Sequence, residues 1–239
     1  MKMLRNIIRN IVFREKASSE KFVSYLRKQG VRVGRDVTIY SPRHTVIDVT
    51  CPSLLSIGNH VRITHGVIIL THDYSWSVLK NLPQSKGCIF GAQSPVAIGN
   101  NVFIGMNSVI TRGVTIGDNV VIGAGSVVTS DCESNGVYAG VPARRIMSID
   151  DYMHKRKEAQ FVEAKNLALA YYDNYGRKPP KEVFREYFML FCDAESAMRV
   201  PEFKHQMALC EGMEDSVQYM KNHLPLFPSY DEFMRACFE

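Results

Sequence analysis

Aliphatic side chains recur at every sixth position through the middle of the chain. One series runs Ile98, Ile104, Ile110, Ile116, Ile122 and Val128 without a break. An earlier one runs Val33, Ile39, Thr45, Cys51, Ile57, Ile63 and Ile69. Glycine often follows, at Gly34, Gly58, Gly99, Gly105, Gly117 and Gly123. Four positions after the aliphatic stands a small or apolar residue, such as Val61, Val102, Ser108, Val120 or Ser126. A fixed period of this kind marks a stacked-repeat architecture. The pattern predicts a triangular coil with one short strand on each side, three hexapeptides completing a turn. The aliphatic points inward and stacks on its equivalent in the next turn. The glycine is expected to supply the positive φ of a sharp corner. No turn buries its own apolar edge, so several must stack.

The two series are out of phase. Ile69 and Ile98 are 29 residues apart, five more than four repeats. An excursion must therefore leave the coil over about residues 71–97. The stretch from Thr71 to Pro95 is polar, with two prolines and two glycines. Structureless excursions of this length inside a compact domain are usually functional.

The ends read differently. Residues 3–12 carry a helical stripe of Met3, Leu4, Ile7, Ile8, Ile11 and Val12, with Lys2, Arg5 and Arg9 off it. Ser19 is a candidate cap for a second helix through Phe22, Val23 and Leu26, ending at Gly30. Two roles stay open for this segment: a cap on the open end of the coil, or weak contact with a membrane surface through its basic amphipathic face. After Asp150 the six-residue pattern is gone. Residues 151–175 read as helix with Gly176 as the stop. Pro180 is expected to open another helix carrying Val183, Phe184, Tyr187, Phe188 and Phe191, with shorter helices near 202–222 and 230–238. The expected organisation is an N-terminal helical cap over 1–30, a coil over 31–149 and an α-helical region over 150–239. The fold class is mainly β.

Composition narrows the picture. The 239 residues are 46% hydrophobic and 22% charged, ordinary for a globular protein. No run of 18 apolar residues is present, so no transmembrane helix is expected. Six cysteines lack CxxC spacing, which points to reduced thiols in a cytoplasmic protein rather than a zinc site or disulfide framework. The net charge of +5 is uneven: residues 1–35 carry +8, 36–149 carry +1 and 150–239 carry −4. The coil region lacks the basic face with interleaved aromatics that a nucleic-acid partner would need.

Two motifs carry chemistry: ILTHDYSW at 69–76, and the run from Ile98 to Ile146 ending in GVPARRI. Both closely resemble the hexapeptide-repeat acyltransferases of the galactoside, maltose and polysaccharide O-acetyltransferase type. The resemblance covers roughly residues 55–147. It implies a left-handed parallel β-helix, a homotrimer, acetyl-CoA as acyl donor without a metal, and a sugar or glycan acceptor. It also implies that His72, at the start of the excursion, is the general base. The chemical logic agrees. A sugar hydroxyl is a poor nucleophile near neutral pH, and a neutral imidazole can take its proton as it attacks a thioester.

The resemblance places the pantetheine arm beside Gly105, Met106, Gly123 and Ala124, with the Met106 amide near the thioester oxygen. Thr129 and Ser130 match positions near the nucleotide, and Arg144 and Arg145 are candidates for its phosphates. Met147 stands where relatives often have a further base. On the acceptor side His44 is a candidate ligand, with Arg43 and Asp48 also considered. Asp73, or a backbone carbonyl, is a candidate for holding the second ring nitrogen of His72. Trp76 is a candidate to stack on a sugar or to anchor the loop. His60 and His65 do not complete the expected ligand set for a zinc site. Two other readings remain: transfer to an amine of an amino sugar or xenobiotic, and a non-catalytic scaffold.

Overall fold

The computed structural model describes residues 12–239. The stripe at residues 3–12 therefore lies outside the described residues, apart from Val12. The chain divides into two compact units, one ending at Tyr152 and the other running Met153–Glu239.

The first unit is a three-sided parallel β-helix. Its first turn comprises β1 (Arg32–Val33), β2 (Thr38–Ile39) and β3 (Val46–Ile47). The second comprises β4 (Leu55–Ile57), β5 (Val61–Ile63) and β6 (Ile68–Ile69). The excursion then leaves on β7 (His72–Asp73) and returns on β8 (Ala92–Gln93), an antiparallel pair. The third turn is β9 (Val96–Ile98), β10 (Val102–Ile104) and β11 (Val109–Ile110); the fourth is β12 (Thr115–Ile116), β13 (Val120–Ile122) and β14 (Val127–Val128). A last strand, β15 (Gly136–Gly140), turns back antiparallel as β16 (Ala143–Ser148). Three faces result: β1-β4-β9-β12, then β2-β5-β10-β13-β15-β16, then β3-β6-β11-β14. Inward side chains such as Ile63, Ile69, Ile104, Ile110 and Ile122 are fully buried in one continuous core.

The first turn departs from the six-residue count. Ile47, not Thr45, pairs in register with Ile69. Two extra residues lie between Ile39 and Ile47, and four more between Ile47 and Ile57. Together they restore the phase by Ile57, so Thr45 and Cys51 fall on the series without occupying core strand positions. Thr45 is nevertheless fully buried, its hydroxyl donating to the Ser41 carbonyl at 2.9 Å.

The corner glycines also work differently from expectation. Positive φ at the first corner, between the first and second faces, is taken by Asp36, His60, Asn101, Asn119 and Asn135. The Asn119 amide donates to Asn135 Oδ1 at 2.8 Å and accepts from Asn101 Nδ2 at 2.9 Å. The glycines allow close stacking instead: a Cβ on Gly58 would lie 2.4 Å from the Gly99 carbonyl oxygen.

Helix α1 (Ser19–Gln29) packs on β1 and β2 and buries Phe22, Val23 and Leu26 in the same core. Its cap is Ser18, whose hydroxyl accepts from the Lys21 amide. The Ser19 hydroxyl instead accepts from the Ile39 amide at 2.9 Å, tying the helix to β2. Gly30 ends the helix at φ +102°, where a glycine pays no steric cost.

Outward residues distinguish the faces. On the first they are Arg32, Ser56, Ala97 and Thr115. On the third they are Val46, Ile68, Val109 and Val127, an aliphatic ladder open at least in part to solvent.

The second unit is helical. Helix α2 (Trp76–Leu79) is the short turn in the excursion, and α3 (Ile149–Tyr175) runs across the division between the units. Gly176 follows α3 at φ +65°. The helix expected from Pro180 is absent. Two 3₁₀ turns, Lys181–Phe184 and Phe188–Leu190, take its place. Aromatic residues are indifferent helix formers, and here Phe184, Phe188 and Phe191 turn into a ring cluster with Phe203 and Phe233. Helices α4 (Ala194–Met198), α5 (Pro201–Ala208), α6 (Met213–Asn222) and α7 (Tyr230–Phe238) complete it. Among the described residues no helix is long and apolar enough to cross a membrane.

Candidate active site

The third corner lies between the third and first faces. Each turn delivers polar residues there directly after a third-face strand: Asp48 after β3, Thr71 and His72 after β6, Thr111 and Arg112 after β11, and Thr129 after β14. Stacking therefore brings together residues that are far apart in sequence.

Asp48 lies under His72. Its Oδ2 is 2.5 Å from His72 Nδ1, and its side chain is 5% exposed against 27% for the histidine. The same oxygen accepts from the Thr71 amide at 3.0 Å and the Thr71 hydroxyl at 2.5 Å, while Oδ1 accepts from the Thr50 amide at 2.9 Å. Burial pushes the Asp48 carboxyl pKa upward, but the donors Thr71, Thr50 and His72 outweigh it and hold the group well below its ordinary value. An ionised carboxylate can only accept, so His72 Nδ1 carries the proton. Nε2 is then the ring nitrogen left without a protein partner among the described residues.

Asp73 does not orient His72. Its Oδ1 accepts from the Ser75 amide at 3.0 Å and the Ser75 hydroxyl, and its Oδ2 accepts from Arg112 Nε at 2.6 Å. Hydrogen bonds from Ser75 and Arg112 lower its pKa to about 2. Trp76 opens α2 and packs at 5.0 Å on Tyr74, which in turn meets the His72 ring edge-on at 6.3 Å. An open recess of about 390 Å³ is lined by Leu70, His72, Asp73, Thr111, Arg112 and Thr129.

Of the other expected site residues, Thr129 lines this recess and the rest stand outside its lining. Gly105, Met106, Gly123 and Ala124 lie at the second corner, between the second and third faces. The Gly105 and Gly123 amides are spent on the ladder, donating to Ile122 and Tyr138 carbonyls at 2.8 Å each. The Met106 side chain is exposed. His44 is at this second corner too. Its Nδ1 and that of His65 share the Ser41 hydroxyl, at 2.9 and 3.1 Å, and the two rings lie 4.5 Å apart. His60 is at the first corner against Asp36, so His60 and His65 do not meet. Arg144 and Arg145 are exposed on β16; Arg145 donates to the Asn135 carbonyl at 3.2 Å. Ser130 is exposed beside Thr129. Within one chain the full width of the third face separates His72 from Met106.

Sequence reasoning missed Asp48 as the histidine's partner, and missed Thr111 and Arg112 entirely. The available signal was the register: the residues one turn before and after His72 in the stack. Cys51 also stands at this corner, its sulfur accepting from Gln93 Nε2 at 3.4 Å, and Cys132 is buried. Burial, with the nearby Asp131, pushes the Cys132 thiol up to about 11.

Residues 95–130 match the family model described as the hexapeptide repeat of succinyl-transferase. The chain is 47% identical over 131 residues to Protein CapG of Staphylococcus aureus, a match covering 54% of this chain and 73% of that protein. It is 63% identical over 57 residues to the galactoside O-acetyltransferase of Escherichia coli (strain K12), covering 24% of this chain and 28% of that one. A solved galactoside acetyltransferase in complex with coenzyme A aligns at 30% identity with a TM-score of 0.43, over 62% of this chain and 81% of that one.

Proposed function

Since the chain belongs to the hexapeptide-repeat acetyltransferase family, we propose that it transfers an acetyl group from acetyl-CoA to a hydroxyl of a sugar or glycan precursor. It is an acyltransferase by family; the O-linked sugar acceptor and the roles below are this reading's own. The observation that carries it is the Asp48–His72 pair, which leaves Nε2 free beside an open recess.

His72 Nε2 takes the acceptor's hydroxyl proton as that oxygen bonds to the thioester carbonyl carbon. Asp48 fixes the ring and favours the imidazolium that forms. As the carbon–sulfur bond breaks, His72 passes the proton to the departing thiolate. Transfer is direct, in a ternary complex, with no enzyme nucleophile.

A second copy of the chain completes the site. The small-residue column Gly105, Gly123 and Ala124, with the Met106 amide, suits a thin pantetheine arm lying against backbone. That column is at the second corner and His72 at the third, so the two meet when one copy's second corner abuts another's third. The aliphatic ladder Val46, Ile68, Val109 and Val127 lies between these corners and gives the copies an apolar face to cover. Three copies arranged head to tail close into a trimer.

The test is acetyl-CoA cleavage, followed as free thiol, with a panel of sugars. Acceptor-dependent release giving a base-labile product supports the reading. A base-stable product would assign an amine acceptor, and no specific coenzyme A binding would leave only a scaffold.

A further inference from the structure

Arg112 is one residue the proposed transfer does not use, and it lines the same recess as His72. Its Nε donates to Asp73 Oδ2, and among the described residues no other side chain pairs with its guanidinium. The side chain is 41% exposed. Asp73 is not available as a counter-ion for a substrate cation: Ser75 and Arg112 already occupy both of its oxygens. Asp48 is buried beneath His72 and committed to Thr50, Thr71 and the ring. The recess lining therefore holds one anion turned to internal partners and one cation with donors to spare, with Asp48 buried beneath the ring.

A guanidinium held through Nε keeps its two terminal amino groups, the edge that binds a carboxylate or phosphate with two parallel hydrogen bonds. Fixing Nε on Asp73 also limits the rotamer freedom that a long side chain would lose on binding. We infer that Arg112 is a specificity residue that binds an oxyanion on the acceptor, so that the favoured acceptor is a carboxylated sugar such as a uronic acid. Phosphate is the alternative source of the same chemistry. The coenzyme's phosphates are the competing anion, since Thr129 of the same recess matches a position near the nucleotide, and KM for acetyl-CoA separates the two. This inference rests on the acetyl-transfer reading for its kinetics, and its binding arm stands apart from that reading.

The experiment uses the full-length chain, and its Arg112→Ala and Arg112→Lys variants. Glucuronate and galacturonate are compared with glucose and galactose as acceptors, by thiol release, and as ligands without donor, by saturation-transfer NMR. The wild type should take the acids with KM roughly tenfold or more below the neutral sugars, as a charge-assisted bidentate pair would give. Arg112→Ala should erase most of that preference through KM, with kcat/KM for the neutral sugars far less changed, and Arg112→Lys should keep part of it. The inference is overturned if acids and neutral sugars behave alike in the wild type, or if Arg112→Ala weakens both equally, as mere loop fastening would. It is overturned equally if only KM for acetyl-CoA rises, which would assign the anion to the donor. Should no sugar be turned over, Arg112-dependent NMR binding of the acids would keep the inference and sink the transfer reading; absent binding would sink the inference.

Discussion

Asp48 and His72 are 24 positions apart in sequence and 2.5 Å apart in space. Their register partners Ile47 and Ile69 are 22 positions apart, one turn of the coil lengthened by the four extra residues between Ile47 and Ile57, and Asp48 and His72 follow them by one and three positions. Replacing Asp48 with Asn exchanges an obligate acceptor for a side chain that can also donate, so the ring loses its fixed tautomer. The expected result is a fall in kcat of about 10–100-fold with KM for acetyl-CoA little changed. The pH–rate profile should shift as well, which a purely structural lesion would not cause.

The same carboxylate links stability to pH. Its pKa is lower folded than unfolded, so its stabilising contribution is complete above the ordinary value of 3.8 and is lost as pH falls below that value toward the depressed one. Thermal unfolding followed from pH 6 downward should therefore show a steeper acid-side loss in the wild type than in Asp48→Asn. Parallel curves would contradict the assignment of that low pKa to Asp48.

Assembly is expected to depend on the third face. Val109→Asp places a charge in the aliphatic ladder without touching the inward core residue Ile110. Sedimentation should show the proposed trimer in the wild type and a monomer in the variant, with the circular dichroism of the fold retained. Activity should fall along with the trimer, because His72 and Met106 stand on opposite edges of that face. A monomer with full activity would contradict the shared site.

The corner ladder gives a stability prediction. Asn119 sits at φ +55° between Asn101 and Asn135. Asn119→Gly keeps the conformation and loses the hydrogen bonds, at about 1 kcal/mol. Asn119→Ala adds left-handed strain of about 1 kcal/mol or more on top. Denaturant unfolding of both variants checks the order, with alanine the less stable.

Much of the coil was legible because each inward aliphatic is a separate reading of one period. From Ile98 to Val128 nothing interrupts that period, and every member is a core residue. In the first turn two insertions sum to six residues, so the period persisted while the residues it marked changed from Ile47 to Thr45. His72 was legible as a motif, but its partner was not. Asp48 meets it only through the stacking of β3 on β6, and Asp73, the neighbour in sequence, turns to Ser75 and Arg112 instead. Helix α3 followed from its length and its glycine stop. The run from Pro180 did not, because a row of aromatics at helical spacing packs equally well as two tight turns around Phe233.

In the proposed transfer His72 removes the acceptor's proton. This step is tested most directly by His72→Ala in the full-length chain, measuring acceptor-dependent thiol release alongside calorimetric binding of acetyl-CoA. The expected result is a rate reduced by about a hundredfold or more with coenzyme binding intact. A rate within about threefold of wild type would contradict it, since a general base contributes far more than that.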